Sequence, residues 1–295
     1  MKFNFINPSD HIRLGMSEFA NFHNFQIDKN GTYVKISIIT EKKIVIKKTP
    51  EEINVFIPEE GLIFRAMTML LNNHDESFTY TEPLKFDTRG VMIDVSQANS
   101  LLNRDTVKLM LKLIAGMGYN MFMLYTEDCY EVDGEPYFGY MRPKYTKEDF
   151  EILDDYAFNL GIEMIPCIQT LGHLTEALKR GYPYGDIKDD ESTLLVGEEK
   201  TYALIEKMIK TAATSFRTKK IHIGLDEAFG LGRGKYLAKN GYRNKSDIMR
   251  EHLNRVYEIT EKYSLEPMMW GDMFFRAKSS MNEYYDMDVV FDEED

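Results

Sequence analysis

The sequence predicts an α/β protein in which a small α+β domain, residues 1–84, precedes an incomplete TIM-type (β/α)8 barrel, residues 85–295, with about five βα units. From Arg89 onward, short apolar runs alternate with segments of helical periodicity, as expected for parallel strands joined by helical crossovers. Polar residues follow these runs at their carboxyl ends, where barrel enzymes build their sites. No glycine-rich dinucleotide fingerprint follows the first run, so a barrel is favoured over a doubly wound sheet.

The first 84 residues have a different pattern. Residues 33–39 alternate weakly and residues 43–47 form a short β-rich run, which together predict two strands. Apolar residues at helical spacing predict a helix over residues 62–71. Glu82 and Pro83, with polar neighbours, mark the predicted boundary to the next domain.

Strands of the second domain are predicted over residues 91–95, 120–125, 162–168, 220–226 and 267–270. Helical periodicity predicts helices over residues 107–117, 150–160, 204–216 and 249–263. Thr146 and Asp149 form a capping box before the second of these helices. An eight-fold barrel needs three more units, roughly 120 residues. The incomplete sheet would expose two edges, so we expect these 295 residues alone to be unstable, to self-associate, as in a homodimer, or to have low or no activity.

Composition excludes several classes of protein. Lysine and arginine total 36 against 48 aspartates and glutamates, and the net charge of −12 argues against a nucleic-acid partner. No apolar run approaches the ~18 residues of a membrane span, and the N-terminus lacks the apolar core of a signal peptide, so we expect a cytoplasmic protein without a membrane partner. The two cysteines, Cys129 and Cys167, have no metal-type spacing and cannot form a disulfide scaffold.

Residues 221–228 (IHIGLDEA) carry the most informative chemical pattern. Strand alternation predicts that His222, Gly224 and Asp226 share one face, with Glu227 at the tip. Two adjacent carboxylates in a partly dry pocket cannot both ionise easily, so one should titrate high and act as an acid near neutral pH. The spacing alone leaves open that the two acids only cap the next helix.

This segment resembles the His-x-Gly-x-Asp-Glu signature of glycoside hydrolase family 20, the β-N-acetylhexosaminidases. Arg89, Gly90 and Asp94 match the family's first-strand pattern Arg-Gly-x-x-x-Asp. Four further segments are similar to the bacterial exo-hexosaminidases that act on N-acetylglucosamine and N-acetylgalactosamine ends, and they read LYTEDCYEV, GEPYFGYMR, IPCIQTLGHL and PMMWGDMFFR. Together these motifs extend over residues 85 to about 277.

The resemblance implies removal of terminal, non-reducing β-linked N-acetylhexosamine from an oligosaccharide or glycoconjugate by a retaining, substrate-assisted mechanism. The 2-acetamido oxygen of the substrate would attack the anomeric carbon. Glu227 would then be the general acid and base. Asp226 would orient the acetamido group and stabilise positive charge on its nitrogen.

The resemblance also implies supporting residues. Arg89 matches an arginine that binds sugar hydroxyls, although a structural ion pair with Asp94 is the alternative. His173 matches a histidine connected to the acid through a relay, which Glu127 or Asp128 would complete. Trp270 matches a wall of the acetamido pocket, or packs in the core. His222, deeper in the strand, is expected to be a structural support.

Two departures from the family pattern are visible. Leu225 stands where the family often has a second glycine, although an outward-facing position tolerates this change. After Phe275 no match follows to the later strands, which supply the family's acetamido-binding tyrosine and further tryptophans. The sequence is therefore expected to stop within the catalytic barrel.

The glycine-rich segment and the spacing of the histidines and acids are weaker indicators of function. Residues 230–234 (GLGRG) resemble a phosphate loop only superficially because the lysine pattern is missing, and they predict a flexible loop at the site. His173, His222, Asp226 and Glu227 show no metal-ligand spacing, so no metal or cofactor is expected.

Two alternative functions stay open on the sequence. The chain could be a non-catalytic or vestigial glycan-binding protein. It could also be a hydrolase with a carboxylate nucleophile that acts on sugars with a 2-hydroxyl group. Comparing 2-acetamido with 2-hydroxy substrates distinguishes the carboxylate-nucleophile hypothesis from the substrate-assisted one, because only the 2-acetamido substrates supply an internal nucleophile. The sequence does not decide between glucosamine and galactosamine.

Overall fold

The computed structural model describes residues 1–96 and 100–274, and the chain divides into two compact units. The first unit contains residues 1–92, 102–123 and 151–164, and the second contains residues 93–101, 124–150 and 165–295. Because neither unit is continuous in sequence, the division into consecutive domains 1–84 and 85–295 stays a prediction. The residues after Phe275, for which no motif match was found, lie outside the described residues.

The first unit contains a six-stranded mixed sheet of spatial order β2-β1-β3-β5-β4-β6. Its strands are β1 (Lys2–Ile6), β2 (Gln26–Ile27), β3 (Thr32–Ile38), β4 (Lys43–Lys48), β5 (Glu52–Ile57) and β6 (Phe78–Pro83). Neighbours among β2, β1, β3 and β5 are parallel, whereas β4 is antiparallel to both β5 and β6. Two helices pack on this sheet, α1 (Asp10–His23) and α2 (Ile63–Asn72).

Apolar periodicity explains the core of this sheet. In β5 the alternating residues Ile53, Val55 and Ile57 are buried, as expected for a strand with one face toward a helix. Each such side chain contributes about 1.5–3 kcal/mol of stabilisation when fully buried. The predicted strands near residues 33–39 and 43–47 and the helix near 62–71 are confirmed as β3, β4 and α2. Glu82 and Pro83 belong to the edge strand β6.

The second sheet has five strands in chain order, and those are β7 (Gly90–Asp94), β8 (Met121–Tyr125), β9 (Glu163–Cys167), β10 (Lys220–His222) and β11 (Glu266–Met268). Helices occur between successive strands, and those are α3 (Arg104–Met117), α4 (Lys147–Asn159), α5 (Thr175–Leu178), α6 (Glu199–Ser215), α7 (Lys235–Asn240) and α8 (Lys245–Lys262). The strand pairings are parallel, since hydrogen-bonded partners advance together along neighbouring strands. This confirms the predicted succession of βα units.

Local chemistry fixes several helix ends. The predicted capping box is confirmed before α4, because the carboxylate of Asp149 accepts from the N–H of Thr146 at 2.9 Å and the Thr146 hydroxyl accepts from the N–H of Asp149 at 3.0 Å. Asn103 caps α3 by accepting from the N–H of Thr106. Among the described residues, no helix is long and apolar enough to cross a bilayer.

The fourth predicted strand, residues 220–226, is shorter in the structure and ends at His222. Gly224, Leu225 and Glu227 have positive φ angles of 75°, 76° and 49°. These left-handed conformations end the strand alternation that was used to orient the motif. Asp226 and Glu227 are therefore positioned by an irregular turn rather than by the pleat of a strand.

Candidate active site

The acidic and histidine residues of the sequence motifs meet at the carboxyl ends of β8, β9 and β10. Glu127 follows β8, His173 follows β9, and Asp226 with Glu227 follows β10. Parallel strands present their carboxyl ends at one edge of a sheet, so residues distant in sequence converge there. The structure thus brings together four of the predicted residues, Glu127, His173, Asp226 and Glu227, which we call the acidic cluster.

His173 lies at the centre of the acidic cluster. Its Nε2 is 3.1 Å from Oδ2 of Asp226 and 3.4 Å from Oε2 of Glu227, and its Nδ1 is 3.6 Å from Oε1 of Glu127. The Asp226 carboxylate beside Nε2 raises the pKa of His173 above its usual value, although burial opposes this shift. A positive φ of 56° at His173 turns the backbone toward the strand ends. The imidazole thus lies among three carboxylates, which favour its protonated form.

Asp226 is held through both of its carboxylate oxygens. Oδ1 accepts a hydrogen bond of 2.7 Å from Nε2 of Gln169, and Oδ2 faces His173. Burial alone would raise the pKa of Asp226. The contacts with His173 and Gln169 lower this pKa by more than burial raises it. Asp226 is therefore a fixed, half-buried anion near neutral pH.

Gln169 and Tyr125 support the cluster, and the sequence analysis did not single them out as site residues. The same Gln169 amide group donates to the Tyr125 hydroxyl at 2.8 Å, and that hydroxyl lies 3.3 Å from Oε1 of Glu127. Gly224 makes room for the amide, because a Cβ there would lie 2.1 Å from the Gln169 Oε1. The signal for Gln169 was its position directly after the third predicted strand.

Glu227 differs from its neighbour Asp226 in exposure. The side chain of Glu227 is 44% exposed, against 18% for Asp226. Its backbone N–H donates to Oδ2 of Asp272 at 3.0 Å, which holds the left-handed turn in place. Burial raises the pKa of Asp272, and the nearby carboxylates of Asp226 and Glu227 add to that effect. Asp272 was visible in the sequence only as a polar residue after the fifth strand.

Asp128 has different partners from Glu127, the other acid that the sequence offered for the relay. One Asp128 oxygen accepts a 2.8 Å ion-paired hydrogen bond from Nη1 of Arg142, whose Nη2 lies 3.1 Å from Sγ of Cys129. Burial raises the pKa of Asp128 despite that arginine. Glu127 is the member of this pair that contacts His173, so Glu127 is the candidate for the relay.

Trp270 lies beside the motif strand. Its ring packs against the imidazole of His222 at 4.8 Å between centroids, and the backbone N–H of Trp270 donates to the carbonyl of Gly224. The indole is 39% exposed and is therefore not an ordinary core side chain. His222 is buried, burial lowers its pKa, and its Nδ1 accepts from the Gly224 N–H at 3.2 Å. These contacts suit the supporting role expected for His222.

The structure does not bring Arg89 into the acidic cluster. Arg89 precedes β7 and belongs to the first unit, whereas the residues of the acidic cluster belong to the second. Its guanidinium donates to the carbonyl oxygens of Gly118, Phe86 and Asp87 and forms an ion pair with Glu59. The ion pair that the sequence offered as the alternative is therefore present, with Glu59 rather than Asp94 as its partner.

The glycine-rich loop at residues 230–234 is anchored to an acidic residue rather than loose. The buried carboxylate of Asp189 accepts from the N–H groups of Gly232 at 2.9 Å and Tyr236 at 2.7 Å. Within residues 1–96 and 100–274, no group of three or more His, Cys, Asp or Glu residues has the geometry to hold a metal ion.

The fold and the acidic cluster together define the class: a βα-barrel type of domain with a carboxylate and histidine site at the carboxyl edge of its parallel sheet. A family model described as glycosyl hydrolase family 20, catalytic domain, matches residues 86–289, beyond the expected end near residue 277. The chain belongs to this family. The predicted fold class, an incomplete (β/α)8 barrel preceded by a small α+β domain, is confirmed.

Curated relatives include hexosaminidase D of Bos taurus, 26% identical over 175 residues, which are 55% of this chain and 49% of that protein. The Homo sapiens hexosaminidase D is 27% identical over 173 residues, which are 55% of this chain and 35% of that protein. The chain thus matches half or less of the length of these relatives.

Solved structures share the fold. A Vibrio harveyi GH20 exo-β-N-acetylglucosaminidase in complex with N-acetylglucosamine has a TM-score of 0.74 and 17% identity, over 95% of this chain and 53% of that one. A mutant Streptomyces plicatus β-hexosaminidase in complex with product (GlcNAc) has a TM-score of 0.74 and 17% identity, over 92% and 61% of the two chains.

Proposed function

We propose that the acidic cluster is the active site of a β-N-acetylhexosaminidase, which removes terminal, non-reducing β-linked N-acetylhexosamine by a retaining, substrate-assisted reaction. The observation that carries this proposal is the contrast between the two adjacent acids. Asp226 is held as an anion by His173 and Gln169, whereas the side chain of Glu227 beside it is 44% exposed. One acid is suited to fixed electrostatic stabilisation and the other to proton transfer.

In the first step the acetamido oxygen of the substrate forms a bond to the anomeric carbon while the bond to the leaving oxygen breaks. Glu227 donates its proton to that leaving oxygen. Asp226 accepts a hydrogen bond from the acetamido N–H and stabilises the positive charge that develops on the nitrogen. The product of this step is an oxazolinium intermediate and a free alcohol.

In the second step the Glu227 carboxylate takes a proton from water as the water oxygen attacks the anomeric carbon. The acetamido oxygen leaves, and its carbonyl is restored. Two displacements at one carbon retain the configuration. Glu227 ends the cycle protonated, so protons and electrons balance without a cofactor.

The remaining cluster residues fit positioning roles in this reaction. Nε2 of His173 contacts Asp226 and Glu227. The Glu127 carboxylate lies 3.6 Å from Nδ1 of the same imidazole. Trp270 has a partly exposed indole beside His222, which suits a wall of the acetamido pocket. Arg89 is left out of the proposed substrate site because its guanidinium is engaged elsewhere.

The comparisons support this proposal through the family and through relatives named hexosaminidase D. The names of the Vibrio and Streptomyces structures record N-acetylglucosamine as the bound sugar of those proteins. Substrate and activity are proposals for this chain, which spans about half of their lengths.

The test is calorimetric binding of a thiazoline mimic of the bicyclic intermediate, with a 2-hydroxy glucose-configured inhibitor as the comparison. We expect the thiazoline to bind and the 2-hydroxy compound to bind at least tenfold more weakly, a difference of about 1.4 kcal/mol. Asp226→Asn should weaken thiazoline binding by a similar factor, because the fixed anion is lost. Asp133→Asn, at an exposed acid in the same unit, is the matched control.

Equal binding of both inhibitors would favour a carboxylate nucleophile and would contradict the substrate-assisted reaction. Unchanged thiazoline binding by Asp226→Asn would remove Asp226 from its assigned role. Sugar binding without any turnover of an aryl N-acetylglucosaminide would favour the non-catalytic alternative.

A further inference from the structure

Three tyrosines form an exposed cluster on the loops of the second unit. The ring centroids of Tyr137 and Tyr140 are 5.6 Å apart, and those of Tyr137 and Tyr182 are also 5.6 Å apart. Tyr182 is 75% exposed, and the other two are between 40% and 50% exposed. We call Tyr137, Tyr140 and Tyr182 the tyrosine platform. Large aromatic rings at the surface usually gain stability by burial, so mutual contact in the open indicates a surface available for a ligand.

A cation completes this surface. The guanidinium of Arg180 lies over the Tyr140 ring, 4.7 Å from its centroid, and its Nη2 is 3.6 Å from Sδ of Met141. Stacking on an aromatic face leaves guanidinium N–H groups at the rim that can donate to hydroxyl or carbonyl oxygens. The surface thus combines flat apolar faces, phenol hydroxyls and cationic donors.

The platform loop is rigidly built although its rings are exposed. Gly139 approaches the backbone so closely that a Cβ would lie 2.0 Å from the carbonyl oxygen of Asp128. Arg142 ties the same loop to the Asp128 carboxylate. On either side of the platform, Glu135 accepts from Lys207 at 2.6 Å and from the Tyr184 hydroxyl at 3.0 Å. A surface that is ordered before binding loses little conformational entropy when a ligand arrives.

The platform belongs to two of the three loops that supply the acidic cluster. Asp128, which anchors the Tyr140 loop, directly follows Glu127 of the cluster. Arg180 and Tyr182 lie on the loop after β9 that also carries His173. The platform and the cluster are therefore held by shared backbone within one unit.

We propose that the tyrosine platform is a sugar-binding subsite for the leaving-group side of an oligosaccharide substrate, an inference that rests on the proposed function. An enzyme that removes the terminal residue places that residue at the cleavage site, so every other sugar of the substrate extends toward the leaving group. The C–H face of a pyranose is flat and apolar and matches a tyrosine ring, while its hydroxyl and acetamido oxygens accept from Arg180 and the phenols. The ligand class is an oligosaccharide of at least two sugars.

The test is calorimetric titration of the Glu227→Gln protein, which prevents cleavage, with β-1,4-linked N-acetylglucosamine oligomers of one to four residues. We expect affinity to rise about tenfold with oligomer length, which corresponds to about 1.4 kcal/mol. Tyr140→Ala and Tyr182→Ala should abolish that rise and leave binding of the monosaccharide unchanged. Tyr242→Ala is the matched control, since Tyr242 is 88% exposed in the same unit and contributes to no aromatic cluster of the described residues.

Monosaccharide binding without any dependence on length would overturn the subsite and leave the proposed function standing. A second outcome is that affinity rises with oligomer length and depends on the tyrosines, while neither the monosaccharide nor the thiazoline binds. This outcome would support the platform as a sugar site and contradict the proposed function. Sedimentation of Tyr140→Ala and Tyr182→Ala measures whether either change alters the oligomeric state of the protein. An altered oligomeric state together with unchanged binding of the sugar oligomers would show that the tyrosines form a subunit contact, and it would overturn the inference.

Discussion

Two pairs of adjacent acids follow strands of the same sheet, and they have different environments. Glu127 and Asp128 follow β8, and both side chains are almost completely buried. Asp226 and Glu227 follow β10, and the side chain of Glu227 is partly exposed. The two dipeptides contain the same two acids in reversed order, yet only the second pair presents a carboxyl group to solvent.

The difference shows what separates a structural acid from a reactive one. A buried carboxylate must be neutralised by protein groups, as Asp128 is by Arg142, because desolvation of an unpaired charge is unfavourable. An exposed carboxyl beside a fixed anion can instead exchange its proton with a ligand. The first pair therefore maintains the site, and the second performs the proposed chemistry.

The largest expected effect is on the rate at the second pair. Glu227→Gln should lower the hydrolysis of a β-linked N-acetylglucosamine disaccharide by about 10²–10⁴-fold, the usual contribution of a general acid. The loss should be smaller for an activated aryl leaving group, which departs with little protonation. Glu131→Gln, at an exposed acid of the same unit, is the control and should keep the wild-type rate. Equal rates for Glu227→Gln and wild type would contradict the assignment.

A second effect concerns stability at the first pair. Arg142→Ala leaves the Asp128 carboxylate buried without its ion-pair partner and should lower the free energy of unfolding by about 3–5 kcal/mol, measured in urea. The exposed pair of Arg250 and Asp247 is the control, and Arg250→Ala should change stability by less than about 1 kcal/mol. Adding Asp128→Asn to Arg142→Ala should recover most of the loss. A double variant as unstable as the single one would show that Arg142 acts through packing.

The smallest expected effect is a pH dependence at the junction of the two pairs. The raised pKa of His173 means that its stabilising contribution is fully present below its ordinary pKa near 6.5 and is lost as pH rises through the folded-state value. Stability in urea should therefore decline above pH 6.5, and His173→Gln should flatten this decline. The pKa values of His222 and His252 are lowered, so these two residues change stability only below pH 6.5. They do not contribute to the decline above pH 6.5.

His74→Gln is the control for that measurement, because His74 is exposed in the first unit. It should leave the pH dependence as in the wild type. A His173→Gln protein with the same decline above pH 6.5 would show that another group titrates there.

Much of the second sheet was predictable because its signals are local. The apolar periodicity near residues 107–117 and 204–216 specifies helices α3 and α6 before any tertiary contact is known. Periodicity was less informative in the first unit, where α1, β1, β5 and β6 were not predicted. In β6 the sequence FTYTEP has few apolar residues, since this strand lies at the sheet edge.

The site was partly predictable for the same reason. Strand ends and short motifs pointed to Glu127, His173, Asp226 and Glu227, because the carboxyl ends of parallel strands meet. The supporting contacts of Gln169 and Asp272 were not predicted, because they join loops 45 or more residues apart. Arg89 was expected near the sugar from a motif alone, and a motif does not record which groups already bind the guanidinium.

The sequence by itself determined the order of the βα units, the family motifs and the net charge, since each depends on residues close together in the chain. Only the tertiary structure decided that Glu127 rather than Asp128 contacts His173, that the motif strand ends at His222, and that Glu227 is exposed beside a fixed Asp226. These outcomes depend on left-handed turns and on partners from distant loops. Burial and hydrogen bonding set the charge state of an acid, and both are properties of the folded chain.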